Sequence, residues 1–164
     1  MGLYASAAKR VQILRRCLLS NIKKVLCAVD FSPVSKKVAE YARSLAEPLG
    51  AELICLHVVP SGTVYADFGI PINSMETFCT TMIAEGEKTL AEFAEQHFSG
   101  MPYRAKVTCG DFSEEILNSA KEEQADMIIV GTHGRKGVDR LLFGSVAEKV
   151  LRQAPCPVVA VRPN

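Results

Sequence analysis

The sequence predicts an α/β fold: a single doubly wound, mostly parallel five-stranded sheet with helices on both faces. Three observations lead to it. Short apolar runs recur along the chain, the segments between them repeat apolar residues at helical spacing, and Gly, Pro, Ser and Asp punctuate the junctions. Strands separated by helices pair in parallel through right-handed crossovers. A strand buried on both faces reads as a continuous apolar run rather than an alternating one.

Each element has its own signal. Lys24 to Val29 is the first strand, ending at Asp30-Phe31-Ser32-Pro33, where Ser32 suits an N-cap and Pro33 the first helical position. Val38, Ala39, Ala42, Leu45 and Ala46 give the following helix its apolar face, and Pro48 and Gly50 end it. Glu52 to Val59 is the second strand, and residues 60–72 read as a long loop. A long amphipathic helix runs from about Ser74 to His97, with Met82, Leu90, Phe93 and Ala94 facing inward and His97 facing solvent at its end. Ala105 to Cys109 is a short third strand closed by Gly110. Asp111 and Glu114 form an acidic analogue of a capping box for a helix that buries Ile116, Leu117 and Ala120. Met127 to Val130, a loop over 131–143, a helix over Val146 to Arg152 and a strand over Val158 to Val161 complete the order βαβαβαβαβ.

The 164 residues fit one domain, with a basic extension over 1–21 and a body over 22–164. Four of the 19 basic residues (Lys9, Arg10, Arg15 and Arg16) and none of the 18 acidic ones lie in residues 1–21, so the body carries a small negative charge. A formal net charge of +1 gives no electrostatic case for nucleic acid. The six cysteines form no CxxC pair and no His stands at ligand spacing, so zinc is not indicated; Cys27, Cys55 and Cys109 read as small buried hydrophobes of a reducing compartment. No apolar run reaches the 18 residues of a membrane span, and the start lacks the apolar stretch of a secretory signal, so a cytoplasmic location is expected. Met1-Gly2 to Ser6 fits an N-myristoylation pattern, and Val11, Leu14 and Leu18 among basic residues fit an interfacial helix. A simple extension, or an extra helix on the body, is the default reading of that segment.

In doubly wound sheets, ligands bind beyond the carboxyl ends of the strands where strand order reverses. Here that point falls between the first and fourth strands. The first ends in Asp30, whose carboxylate can accept hydrogen bonds from ribose hydroxyls or an adenine amino group, or cap the next helix. The fourth leads into Gly131-Thr132-His133-Gly134 and, after a loop with Arg135, Lys136 and Arg140, into Gly144-Ser145 at a helix start. Glycines let main-chain amides approach an anion closely or adopt positive φ, and a helix N-terminus adds free N–H donors and a positive dipole end. The pattern therefore suits phosphate. Neither a P-loop GxxxxGK[ST] nor a dinucleotide GxGxxG is present.

The spacing Gly131-x2-Gly134-x9-Gly144-Ser145, with VLCAVDFS, ELICLHVV, DMIIVGTHG and PCPVVAVR, resembles the ATP-binding universal stress proteins across Lys23 to Arg162. The resemblance implies a sheet of order 3-2-1-4-5 and a homodimer joined through the last strand, Val158 to Val161. It places Ala28 and Asp30 near adenine and ribose, and Val58 against the base. It makes Val130 and Gly131 main-chain contacts, and sets His133, Gly134, Gly144, Ser145 and Val146 on the phosphate side. ATP, or ADP or AMP, is the implied ligand; a Mg2+ or Mn2+ ion on the phosphates is compatible with it, although no carboxylate cluster demands one. Pro48, Ala147 and residues 1–21 depart from the family pattern.

His133 has no Ser or Cys nucleophile with an orienting acid beside it in the sequence, which argues against catalysis beyond slow ATP hydrolysis. His57, inside an apolar strand, reads as a core histidine; Tyr65 and Phe68 read as loop packing or a cover over the base. Two rivals remain: a dimeric interaction module that binds no nucleotide, and an adenylating enzyme. The second calls for a Gly/Ser-rich loop after the first strand, where this chain reads DFSPVS.

Overall fold

The run KVLCAV forms β1 (Lys24–Val29), which is hydrogen-bonded on both sides and stands at the centre of the sheet. The computed structural model describes residues 22–61, 75–132 and 144–162. After β1 come α1 (Pro33–Ala46), a 3-10 turn (Glu47–Leu49), β2 (Glu52–Pro60), α2 (Met75–Phe98), β3 (Tyr103–Gly110), α3 (Phe112–Glu122), β4 (Met127–Gly131), α4 (Ser145–Gln153) and β5 (Val158–Val161). The order is β3-β2-β1-β4-β5, with every pairing parallel. This is the expected α/β sheet. The basic extension over 1–21, the loop with Tyr65 and Phe68, and Arg135, Lys136 and Arg140 lie outside the described residues.

Alternation along the strands divides the core into two layers. Val25, Cys27 and Val29 of β1 and Leu53 and Cys55 of β2 pack with Val38, Ala39 and Ala42 of α1 and Leu90, Ala94 and Phe98 of α2. Leu26, Ile54, Leu56, Val58 and Ile128 face the other way, onto Ile116 and Ala120 of α3 and Val150 of α4. Each fully buried Leu, Ile or Phe contributes about 1.5–3 kcal/mol of burial. The alanines let α1 lie close to the strands. Val34 and Leu45 pack against the same layer from its margin.

The amino ends of the strands are tied together by Asp126, whose Oδ2 accepts from the amides of Lys23 (2.8 Å) and Lys24 (3.0 Å). The Asp126 amide returns a bond to Lys24 O at 2.9 Å. Pro48 ends α1 by tightening it into the 3-10 turn, and Gly50, at φ 62°, supplies the left-handed residue that releases the chain into β2.

Two elements differ from their sequence signal. β3 extends beyond Ala105–Cys109 at both ends, because as an edge strand it turns Arg104 and Lys106 outward to Glu52, Glu122 and Glu123, and charge interrupts the apolar run. His97 is not solvent-facing. It is half-buried in an aromatic row with Phe93 (centroids 4.4 Å apart) and Phe98 (6.4 Å), and burial lowers its pKa.

Asp111 caps α3 as expected, accepting from the Glu114 amide at 3.0 Å, while the Glu114 carboxylate accepts from Lys149 Nζ of α4 at 3.0 Å instead of completing the box. The Ser113 hydroxyl, the Glu114 amide and Lys149 together hold the Asp111 carboxyl below the usual aspartate range. A depressed folded-state pKa means the stabilisation is present above the unfolded-chain value and is lost as pH falls through the folded one. Asp111→Ala therefore lowers stability by about 1 kcal/mol at neutral pH, and urea denaturation will show the gap from wild type narrowing in acid.

Candidate functional site

The carboxyl end of β1 is set by a compact turn. Asp30 Oδ1 accepts from the Ser32 amide (3.0 Å) and from Ser35 Oγ (2.8 Å), and Ser35 Oγ in turn accepts from the Asp30 amide (3.1 Å). The turn closes with Ser35 N donating to Ser32 O at 2.9 Å. Ser32 holds the N-cap backbone position (φ −69°, ψ 166°), but its hydroxyl makes no cap bond. That hydroxyl is buried without a hydrogen-bond partner among the described residues. The expected division of labour is thus reversed: Asp30 orders the helix start through Ser32 N and Ser35, and Ser32 does not.

Between them Phe31 adopts φ 59°, a left-handed conformation that costs a non-glycine residue about 1–3 kcal/mol. Its ring is held against His57 (centroids 4.3 Å) and edge-on to Phe93 (5.8 Å). His57 is buried in β2, with Nδ1 on Val29 O at 2.9 Å, which fixes Nδ1 as the donor. It is the satisfied core histidine the strand pattern suggests. Strain at a strand end is tolerated here because packing on both sides of the ring determines it.

The end of β4 is pinned differently. The Thr132 amide donates to Val161 O (2.8 Å), and the Gly144 amide donates to Thr132 O (2.8 Å), so the chain leaves and rejoins the scaffold at one hydrogen bond. Gly144 is the N-cap of α4 (φ −62°, ψ 151°), and its carbonyl accepts the first helical bond, from Glu148 N at 2.9 Å. The amides of Ser145, Val146 and Ala147 precede that bond and belong to the first turn, which has no acceptor for them within the helix. Gly131 and Gly144 do not take positive φ. The backbone freedom invoked for the loop is not used at these two positions.

One cleft of about 860 Å³ covers the carboxyl edge of the sheet, within the range of small-molecule sites. Ala28, Asp30, Val58, Val130, Gly131, Gly144, Ser145 and Val146 all line it; His133 and Gly134 lie outside the described residues. On the α3/α4 side of the sheet, Ala28, Val58, Val130 and Ile116 make an apolar floor, with the α4 amides and the exposed Ser145 above it. On the α1/α2 side the cleft continues over Phe31, His57, Met82 and Gly86. A Cβ on Gly86 would stand 3.4 Å from Val107 and 3.6 Å from the His57 ring, so the glycine lets α2 lie close over β2 and β3.

Several lining residues escaped the sequence reading. Phe31 has no local signal, because its strain and stacking are tertiary. Phe112, 39% exposed at the first position of α3, is placed on the cleft by the same rule that found Gly144, since it follows a strand end on the same edge. Among the described residues no group of three His, Cys, Asp or Glu side chains gathers as a metal site, and no helix is long and apolar enough to cross a membrane.

A parallel sheet whose order reverses beside its central strand, with a cleft over that reversal, defines a doubly wound α/β domain. The chain belongs to the universal stress protein family: the family model matches residues 21–162. It is similar to universal stress protein MJ0531 of Methanocaldococcus jannaschii, 33% identical over 144 residues that cover 85% of this chain and 82% of the relative. The solved structure of protein MJ0577 from the same organism superposes with a TM-score of 0.75 at 26% identity, covering 87% and 97% of the two chains. An Arabidopsis thaliana universal stress protein family member, At3g01520, solved with AMP bound, shares the fold at a TM-score of 0.59 and 22% identity, covering 87% and 92%.

Replacing Asp30 by Ala leaves the Ser32 amide and the Ser35 hydroxyl without their shared acceptor, both in a part-buried setting. A loss of about 1–3 kcal/mol is expected, measured as a shift of the urea midpoint at unchanged m-value.

Proposed function

We propose that the cleft binds an adenine nucleotide, with ATP the full-length ligand and ADP and AMP filling part of the same site. The observation that carries this reading is the pairing, within one cleft, of an apolar floor with the first turn of α4, whose leading amides have no acceptor within the helix. The base rests on Ala28, Val58 and Val130, and Asp30 accepts from the sugar or the base edge. Gly131, Gly144, Ser145 and Val146 take the phosphate side, and the motif assigns His133 and Gly134 to it as well. The bonds that Asp30 Oδ1 accepts from the Ser32 amide and the Ser35 hydroxyl fix the carboxylate's place at the cleft. The bound AMP of the Arabidopsis relative supports the ligand class, since that protein has the same fold. A Mg2+ or Mn2+ ion, where it joins, is held by the phosphates, because the described residues offer no ligand cluster for it.

The protein acts as a regulatory or protective stress-response dimer whose nucleotide sets its stability or choice of partner, and turnover, if any, is slow. The dimer forms along β5, which among the described residues pairs with β4 alone and stands at the edge of the sheet. Pro157 O and Val161 O bond to β4, so residues of that parity face inward and the amides of Val158 and Ala160 point out toward a second copy.

Three outcomes are expected. ATP at 100-fold its dissociation constant adds ~2.7 kcal/mol, raising Tm by roughly 5–10 °C for a chain of this size. A melt unmoved by ATP, ADP and AMP would instead favour an interaction module without nucleotide. Gly131→Val and Gly144→Val abolish that shift while leaving the ligand-free melt nearly unchanged; retained affinity in both rejects the phosphate-side assignment. Ala160→Pro removes an outward amide and spares the β4 ladder, so sedimentation velocity will show a monomer with wild-type circular dichroism.

A further inference from the structure

Helix α2 crosses β3 in the opposite direction, and three contacts mark the crossing. Phe98 meets Tyr103 (ring centroids 6.2 Å apart), Gly86 lies over Val107, and Cys79, two turns before Gly86, comes beside Cys109, two residues after Val107, so that the two thiols interact. Both cysteines are half-buried, neither sealed in the core nor wholly exposed. Cys109 Sγ also reaches Pro60 O at 3.9 Å. Pro60 and Met82, one helical turn beyond Cys79, line the nucleotide cleft.

The chain carries a second thiol pair, which serves as an internal contrast. Cys27 and Cys55 face each other in register across β1 and β2, and both are fully buried. The hydrogen bond to Cys27 and burial push the Cys55 thiol well above the usual cysteine range, the environment of an inert thiol. Thiol proximity alone is therefore common to both pairs, and access distinguishes them.

We propose that Cys79 and Cys109 are a redox-active pair that closes to an intramolecular disulfide with hydrogen peroxide, tying the N-terminal part of α2 to the end of β3 at the rim of the cleft. The Cys79 thiolate attacks one peroxide oxygen, the O–O bond breaks, and the departing oxygen leaves as water after taking up a proton. The Cys79 sulfenic acid so formed is attacked by the Cys109 sulfur, which forms the S–S bond and expels the second oxygen as water. Two thiols are oxidised to one disulfide, and one peroxide is reduced to two waters. Cys109 takes the resolving role because burial, with its contact to Cys79, holds its thiol above the usual range. This inference does not depend on what the cleft binds.

The test treats the reduced full-length chain with one equivalent of hydrogen peroxide at neutral pH, traps remaining thiols with iodoacetamide and maps the digest by mass spectrometry. A Cys79–Cys109 linked peptide is expected as the dominant form of both residues, reversed by dithiothreitol, with Cys27 and Cys55 neither linked nor alkylated before denaturation. Cys79→Ser and Cys109→Ser each abolish the link, and Cys17→Ser and Cys156→Ser leave it. Recovery of Cys79 and Cys109 as separately alkylated peptides, or linkage through Cys17 or Cys156 instead, overturns the proposal, and the wild-type result decides this without any variant having to fold.

Discussion

The structure depends on one constraint: β1 must hydrogen-bond on both sides to strands whose connecting helices go to opposite faces. β2 lies on one flank and β4 on the other. The crossover through α1 covers one face, and those through α3 and α4 cover the other. Because the connections diverge at that point, no helix among the described residues passes over the carboxyl ends of β1 and β4. A gap there is a consequence of the winding. Asp126 keeps the opposite ends of the same strands together, so the strain and openness collect on one edge.

At that edge the local chemistry is divided between two strand ends. β1 finishes in a turn closed on itself by Asp30, Ser32 and Ser35, with Phe31 held in a costly conformation between His57 and Phe93. β4 is followed by the start of α4 beside the cleft, where the Gly144 amide is used by Thr132 and the next three have no acceptor within the helix. One end is rigid and presents an acceptor; the other presents donors. Such a division suits a ligand with an apolar ring, a hydroxylated middle and an anionic tail, and the α1/α2 side of the cleft adds room beyond it.

Much of this was legible in the residues. The parallel α/β class follows from apolar runs such as KVLCAV and ELICLHVV alternating with helical patterns, and the order of the strands follows from the family resemblance. The limits of β3 were not legible, since Arg104 and Lys106 find partners on β2 and α3 that no local pattern announces. The same holds for the aromatic row from Phe31 to His97, which is assembled from β1, β2 and α2. Around the cleft, residues within the motif stood out by spacing, whereas Phe31, Phe112 and Gly86 reach it only through packing. Ser32 was read correctly as a position and wrongly as a hydrogen-bonding group, because Asp30 two residues earlier competes for the same helix start.

The single bond from Gly144 to Thr132 has a corollary for loop length. A chain that departs and returns at the same anchored pair can be lengthened or shortened between those anchors at little cost, since doubling the span adds only about 0.6 kcal/mol of closure entropy. The fixed spacing from Gly134 to Gly144 is therefore not a demand of chain closure, while Ala28, Asp30 and Val58 are placed by the sheet. Span length and strand-end geometry are thereby separable constraints on one edge of the sheet.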